Sequence, residues 1–362
     1  MSRVLALVAV LVATSTARAD GAPTSPTAAE PSADESSEVS TTRRLAAIGA
    51  AIVPGVVIHG SGSWVLHEQR AAKRLAVTGW IGLGAMALGG AAVGLTGGSP
   101  EMVIWGVPAM IAGAGLWLPT WFADIWYAAG GPRVRGEPHA ASTWSVELGT
   151  TWLHDAYRER ALVRGAGRIE LGRVGVGASG LVDAEGRART GDVEARVRIL
   201  GAAATGATIA DGSKLYVRAA VRRHVDDDDQ VAISTVEAEV GARADLQRLD
   251  RNLAGSFVDV SLGMGLERVR YADLVSDTDT LFLGRFAWGL YLGTRSELTV
   301  FYDHRRDSLA GGIAAWRAAG FVGSVGANVD LRLGGPLSFV GELEIGNGWV
   351  TTAGVRYHGG PL

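Results

Sequence analysis

The segment Ser256–Val269 reads S-F-V-D-V-S-L-G-M-G-L-E-R-V. Val258, Val260, Leu262, Met264 and Leu266 fall on one parity, and Asp259, Ser261, Gly263, Gly265 and Glu267 on the other. A strand points successive side chains to opposite faces, so this segment has one apolar face and one polar face. The apolar face runs unbroken for about ten residues, the length of a tilted strand crossing a bilayer.

The alternation recurs toward the C-terminus. Trp144, Val146, Leu148 and Trp152 alternate with Ser145, Glu147, Gly149 and Thr151. Val193, Ala195 and Val197 alternate with Glu194 and Arg196, and Leu215, Val217, Ala219 and Val221 with Tyr216, Arg218 and Arg222. Val236, Ala238, Val240 and Ala242 oppose Glu237, Glu239, Gly241 and Arg243. Phe282, Gly284, Phe286, Trp288, Leu290 and Leu292 oppose Arg285. Further runs begin at Leu298, Val325 and Leu337, and the last ends at Val355-Arg356-Tyr357. Turn signals separate them: Ala184-Glu185-Gly186, Asp211-Gly212, Asp226–Asp229, Gly334-Gly335-Pro336 and Asn347-Gly348. In Val163–Val182 the apolar parity flips, so Gly172-Arg173 is either a bulge or a tight turn.

These runs predict an all-β membrane fold, an antiparallel transmembrane β-barrel of about twelve strands over 143–358. A soluble sandwich shows lysine and threonine to water. Here the polar parity carries acids and arginines, and the chain has only two lysines, Lys73 and Lys214. Charges of both signs facing inward pair with one another, while closure removes every unpaired strand edge. The register predicts that Glu237, Glu239, Arg243, Asp259, Glu267 and Arg285 face an enclosed interior, and that Val236, Val240, Val260, Leu262, Met264 and Phe286 face lipid.

The N-terminal third differs. Arg3, an apolar core from Val4 to Ala13 and Ala17-Arg18-Ala19 have the layout of a secretory signal peptide over residues 1–19. Residues 20–44 are rich in Ser, Thr, Ala, Pro and Glu and are expected to be a disordered linker. Residues 45–129 hold apolar runs at Leu45–Ile58, Leu75–Leu95 and Met102–Tyr127, with the polar Trp64–Arg74 between the first two. The last two are long enough to span a membrane. This predicts a short helix and a helical hairpin whose glycines allow close packing.

Over 143–358 the pattern resembles the outer-membrane β-barrel proteins of Gram-negative bacteria. The front block, with Pro54-Gly55-Val56-Val57-Ile58-His59-Gly60-Ser61-Gly62, resembles that of envelope proteins from myxobacteria-like organisms. The resemblance implies a location, the outer membrane, with lipid as the partner. Two features depart from the class: the chain continues past Tyr357 to Leu362, and the connections read as short.

Function is less constrained. The net charge of −3 gives no reason to expect a nucleic-acid partner, and the absence of cysteine excludes disulfides and thiolate metal sites. No motif for a cofactor or nucleotide is present. His59-Gly60-Ser61 resembles the His-x-Ser pair of outer-membrane phospholipases, which makes His59 and Ser61 the candidate catalytic residues of a lipid hydrolase, against the plainer reading of a glycine-rich turn between helices. Asp226–Asp229 reads as a solvated acidic turn that lacks the spaced ligands of a calcium loop. The leading expectation is a non-enzymatic outer-membrane barrel, structural or a narrow pore. The alternatives are an inner-membrane hairpin anchoring a periplasmic β-domain and an outer-membrane lipid hydrolase.

Overall fold

A computed structural model describes residues 40–131, 136–139, 142–154, 159–201, 211–272, 277–293, 295–304 and 323–360. The expected signal peptide and nearly all of the expected linker lie outside these residues.

The polypeptide enters through α1 (Thr41–Ile52), whose start is capped by the Ser40 hydroxyl accepting from the Arg43 N–H. Regular structure thus begins four residues before the boundary expected at Leu45. A 3-10 turn at Pro54–Val56 and a short α2 (Ser61–Val65) follow. Then comes the hairpin of α3 (Gln69–Leu95) and α4 (Pro100–Ala128). The polar stretch expected between apolar runs is partly absorbed, since α3 starts at Gln69 and carries Arg70, Lys73 and Arg74 in its first turns.

Both long helices have the length and hydropathy to cross a membrane. Four glycines hold them together. A Cβ on Gly82 would stand 2.7 Å from the Gly113 carbonyl oxygen, and one on Gly113 2.5 Å from that of Gly82. Gly89 and Gly106 repeat the relation at 2.4 and 2.7 Å. The partners recur every seven residues on each helix, so two backbone contacts two turns apart form the seam.

Twelve strands then close into one antiparallel barrel in which each strand pairs with its sequence neighbours and β1 pairs with β12. They are β1 (Trp144–His154), β2 (Glu159–Leu171), β3 (Val174–Asp183), β4 (Ala188–Leu200), β5 (Lys214–Asp226) and β6 (Val231–Asp245). The circuit continues with β7 (Ser256–Tyr271), β8 (Asp277–Leu292), β9 (Ser296–His304), β10 (Ser324–Gly334), β11 (Leu337–Ile345) and β12 (Trp349–Gly359). Closure is direct: Trp144 pairs with Gly359 and His154 with Trp349. The parity flip resolves as a tight turn between β2 and β3, with Gly172 at φ +63°, a left-handed position that suits glycine. The connection 305–323 between β9 and β10 is long, against the expectation of short loops; residues 305–322 lie outside those described.

The first strand begins and the last ends on the same rim, termed here the terminal side. The 3-10 turns between β6 and β7 lie on that side. The hairpin is tied there: Arg74 pairs with Asp250 at 3.3 Å, and Asn252 donates to Glu68 at 3.1 Å. From that point α4 follows the outside of β8. Ile111 stands over Gly284, Gly115 over Phe286 and Val260, and Phe122 over Trp288 with ring centroids 5.6 Å apart. Ala123 joins Leu75, Leu246, Leu253, Trp288 and Leu290 in one apolar cluster. Six strand steps from Gly284 to Leu290 cover about 20 Å, and twelve helix steps from Ile111 to Ala123 about 18 Å. Helix and strand therefore advance together. Val260, Leu262 and Phe286 point outward, but Val260 and Phe286 meet α4 rather than lipid, and Phe286 is only 8% exposed.

Candidate functional site: the barrel lumen

The inward parity of the strands builds a polar interior. Arg218 on β5 donates to Glu194 on β4 at 2.6 Å and to Glu237 and Glu239 on β6 at 2.9 and 3.1 Å. Arg168 on β2 reaches Glu194 from the other side at 3.0 Å. One guanidinium thus serves three carboxylates, and Glu194 is shared between two arginines. A second knot centres on Arg243, which donates to Asp259 at 3.1 Å and to both Glu297 oxygens at 2.9 and 3.1 Å. The Tyr216 hydroxyl donates to the other Asp259 oxygen at 3.0 Å. A third joins Glu147 to Arg164 and Arg356 at 2.9 and 2.7 Å, with Arg356 also bonded to Asp330.

These pairs cross between strands, and Arg218, Glu147, Glu237 and Glu239 among them are buried. A buried charge left alone is costly, so acids and bases come matched. The arginines also lie on rings: Arg196 over Tyr216 at 4.7 Å, Arg243 over Phe257 at 3.9 Å and Arg285 over Phe301 at 4.4 Å. Stacking fixes the guanidinium plane and leaves its edge for carboxylates. A chamber of about 460 Å³ remains within the lumen, lined by Glu239, Arg243, Asp259 and Arg285 among others. Glu237 and Glu267 are buried on the same parity.

Further contacts that the sequence did not show line the two rims. On the terminal side, Asp245 accepts from the Gly212 N–H at 2.6 Å and the Tyr291 hydroxyl at 2.8 Å. Gly136–His139, between the helical module and β1, lies at the same mouth, where the Gly136 N–H donates to the Tyr291 carbonyl at 2.8 Å. Burial holds the His139 imidazole below the ordinary histidine range; Glu297 and Asp330 oppose this, and Arg243 and Arg295 add to it. On the opposite rim, the acidic turn is consumed by arginines: Asp226 by Arg160 at 2.8 Å, Asp227 by Arg189 at 3.0 Å and Asp228 by Arg187 at 3.2 Å. No cluster of metal-binding side chains occurs among the described residues.

The expected hydrolytic pair does not assemble. The His59 Nδ1 bonds the Thr120 hydroxyl at 2.7 Å, and the Ser61 hydroxyl donates to the Ala50 carbonyl at 2.6 Å. The carboxylate that serves the glycine-rich turn is Asp124, fully buried on α4. It accepts from the Gly62 and Ser63 N–H groups at 2.9 Å each and from the Ser63 hydroxyl at 2.6 Å. That acid ties α2 to the hairpin and leaves His59 without a carboxylate to orient it, a group the hydrolytic chemistry requires. His154 stacks on Trp349, and His304 bonds the Tyr302 hydroxyl at 2.9 Å.

Inside and outside together define a class, a transmembrane β-barrel with a charged lumen and an apolar exterior that carries a helical hairpin on its flank. No family model matches the chain, and no curated protein matches it. Among solved structures, the KdgM porin in complex with disordered oligogalacturonate is 6% identical and covers 60% of this chain and 99% of its own, at a TM-score of 0.39. The outer membrane protein Omp33 of Acinetobacter baumannii is 6% identical over 61% of this chain and 100% of its own, at 0.32. The translocator domain of the autotransporter NalP from Neisseria meningitidis is 12% identical over 61% and 90%, also at 0.32.

Proposed function

We propose that this protein is a non-enzymatic barrel of the outer membrane, working as a structural element or a narrow pore whose terminal side faces the periplasm. The observation that carries this reading is the exterior band. Trp144 stacks on Tyr357 at one rim, and His154 stacks on Trp349 at the other. Ten strand steps separate Trp144 from His154, about 33 Å along the strand, or about 25 Å along the membrane normal at the usual tilt. Between these girdles stand exposed apolar side chains, among them Val146, Leu148, Val163 and Val355. A band of that height suits a hydrocarbon core, and an even strand number suits a bacterial barrel.

The paired lumen supports a role with little open channel. An inner-membrane anchor for a separate β-domain fits less well, because α4 packs along β8, which supports hairpin and barrel sharing one membrane. A closed barrel migrates anomalously on gels until boiled, and sucrose-gradient fractionation separates the two membranes. The proposal expects a heat-dependent gel shift and co-migration with outer-membrane markers. Co-migration with inner-membrane markers would sink it.

A further inference from the structure

Residues 136–139, between the hairpin and the barrel, lie at the mouth on the terminal side. Gly136 is pressed against the end of β8, where a Cβ would stand 2.6 Å from the Gly293 carbonyl oxygen and from the Tyr291 carbonyl carbon. Pro138 abuts Gly212, which precedes β5: an ideal Cβ on Gly212 would be 3.1 Å from the Pro138 Cβ. His139 feels the charges of Arg243 on β6, Arg295 in the β8–β9 turn, Glu297 on β9 and Asp330 on β10. Ser142 then bonds His358 of β12 at 2.8 Å. The contacts of residues 136, 138 and 142 thus fall on β8, on Gly212 before β5 and on β12, three separate places around the ring of twelve strands.

We propose that Gly136–His139 is a stopper that controls passage between the periplasm and the charged chamber. It rests on the reading of the protein as an outer-membrane barrel. Among the described residues the stopper is held by the Gly136 N–H bond to Tyr291, an isolated β-bridge at Glu137 and van der Waals contact at two glycines, an attachment far shorter than a strand ladder. Segments held this way open at low free energy.

The absence of native cysteine allows a direct test. Asn328 lines the chamber, so Asn328→Cys reports access by a small water-soluble maleimide. Gly136→Val forces a side chain into the β8 backbone and should dislodge the stopper. Labelling is expected to be about tenfold faster in the Gly136→Val background than in the parent. Equal rates in two chains that both keep the heat-dependent gel shift would overturn the proposal, whereas loss of the shift in the parent chain would count against the barrel itself. If Gly136→Val does not fold, the pair Pro138→Cys and Gly212→Cys tests the same contact from the other direction. Its Cβ separation lies a few tenths of an ångström below the usual disulfide range of about 3.5–4.5 Å. With the bond formed, conductance in planar bilayers is expected to fall about tenfold below that of the reduced protein. The same conductance before and after reduction would overturn the proposal.

Discussion

At the residue scale, Arg218 is the most exacting position in the lumen. It is only 8% exposed and serves Glu194, Glu237 and Glu239. Losing a buried ionic partner strands the remaining charges and costs about 3–5 kcal/mol. Arg218→Met is therefore expected to lower unfolding stability by that amount in urea titrations of the refolded barrel. Adding Glu237→Gln and Glu239→Gln to the same chain should recover part of the loss, because fewer carboxylates then lack a partner. A loss under about 1 kcal/mol for the single change would mean that Arg218 is solvated like a surface charge. The sequence showed that Arg218 shares a parity with Tyr216, but alternation carries no information on how many acids one guanidinium reaches across neighbouring strands. Asp124 was hidden for a related reason: its partners, Gly62 and Ser63, lie on another element.

At the element scale, the hairpin depends on backbone touching backbone. Gly89→Leu would drive a side chain into the Gly106 carbonyl, where even the first carbon has only 2.4 Å. Overpacking of this kind costs about 3 kcal/mol, the upper end of the usual range, because neither helix can yield without opening the seam. Gly84→Leu, at a helix position with nothing within 4 Å of a Cβ, should be tolerated. Protease sensitivity of the hairpin in folded protein checks both: Gly89→Leu is expected to be cleaved and Gly84→Leu to resist. Equal resistance would mean that the two helices are not held by this seam. The helices were legible in the sequence from run length and glycine content. Their place on the barrel was not, since strand parity separates inside from outside without saying what covers the outside. Val260 and Phe286 were accordingly expected to meet lipid and instead meet Gly115. The twelve strands were legible because a period of two repeats wherever one face is apolar and the other charged. The mouth was not, because Gly136–His139 has no period at all.

At the scale of the whole molecule, the account rests on a barrel whose two faces meet different media. Strand β6 offers the cleanest comparison, with Val236 54% exposed while Glu237 and Glu239 are 5% and 4% exposed. Single cysteines placed in turn at positions 235 to 240, each carrying a fluorophore, are to be measured in vesicles containing a lipid-borne quencher. Labels at Val236, Ala238 and Val240 are expected to be quenched and labels at Thr235, Glu237 and Glu239 to be spared, giving a period of two along the strand. A label at Val260 should be spared although it points outward, because α4 stands between it and lipid. Quenching without alternation, or strongest at Glu237 and Glu239, would contradict a lipid-facing exterior and a protein-lined lumen.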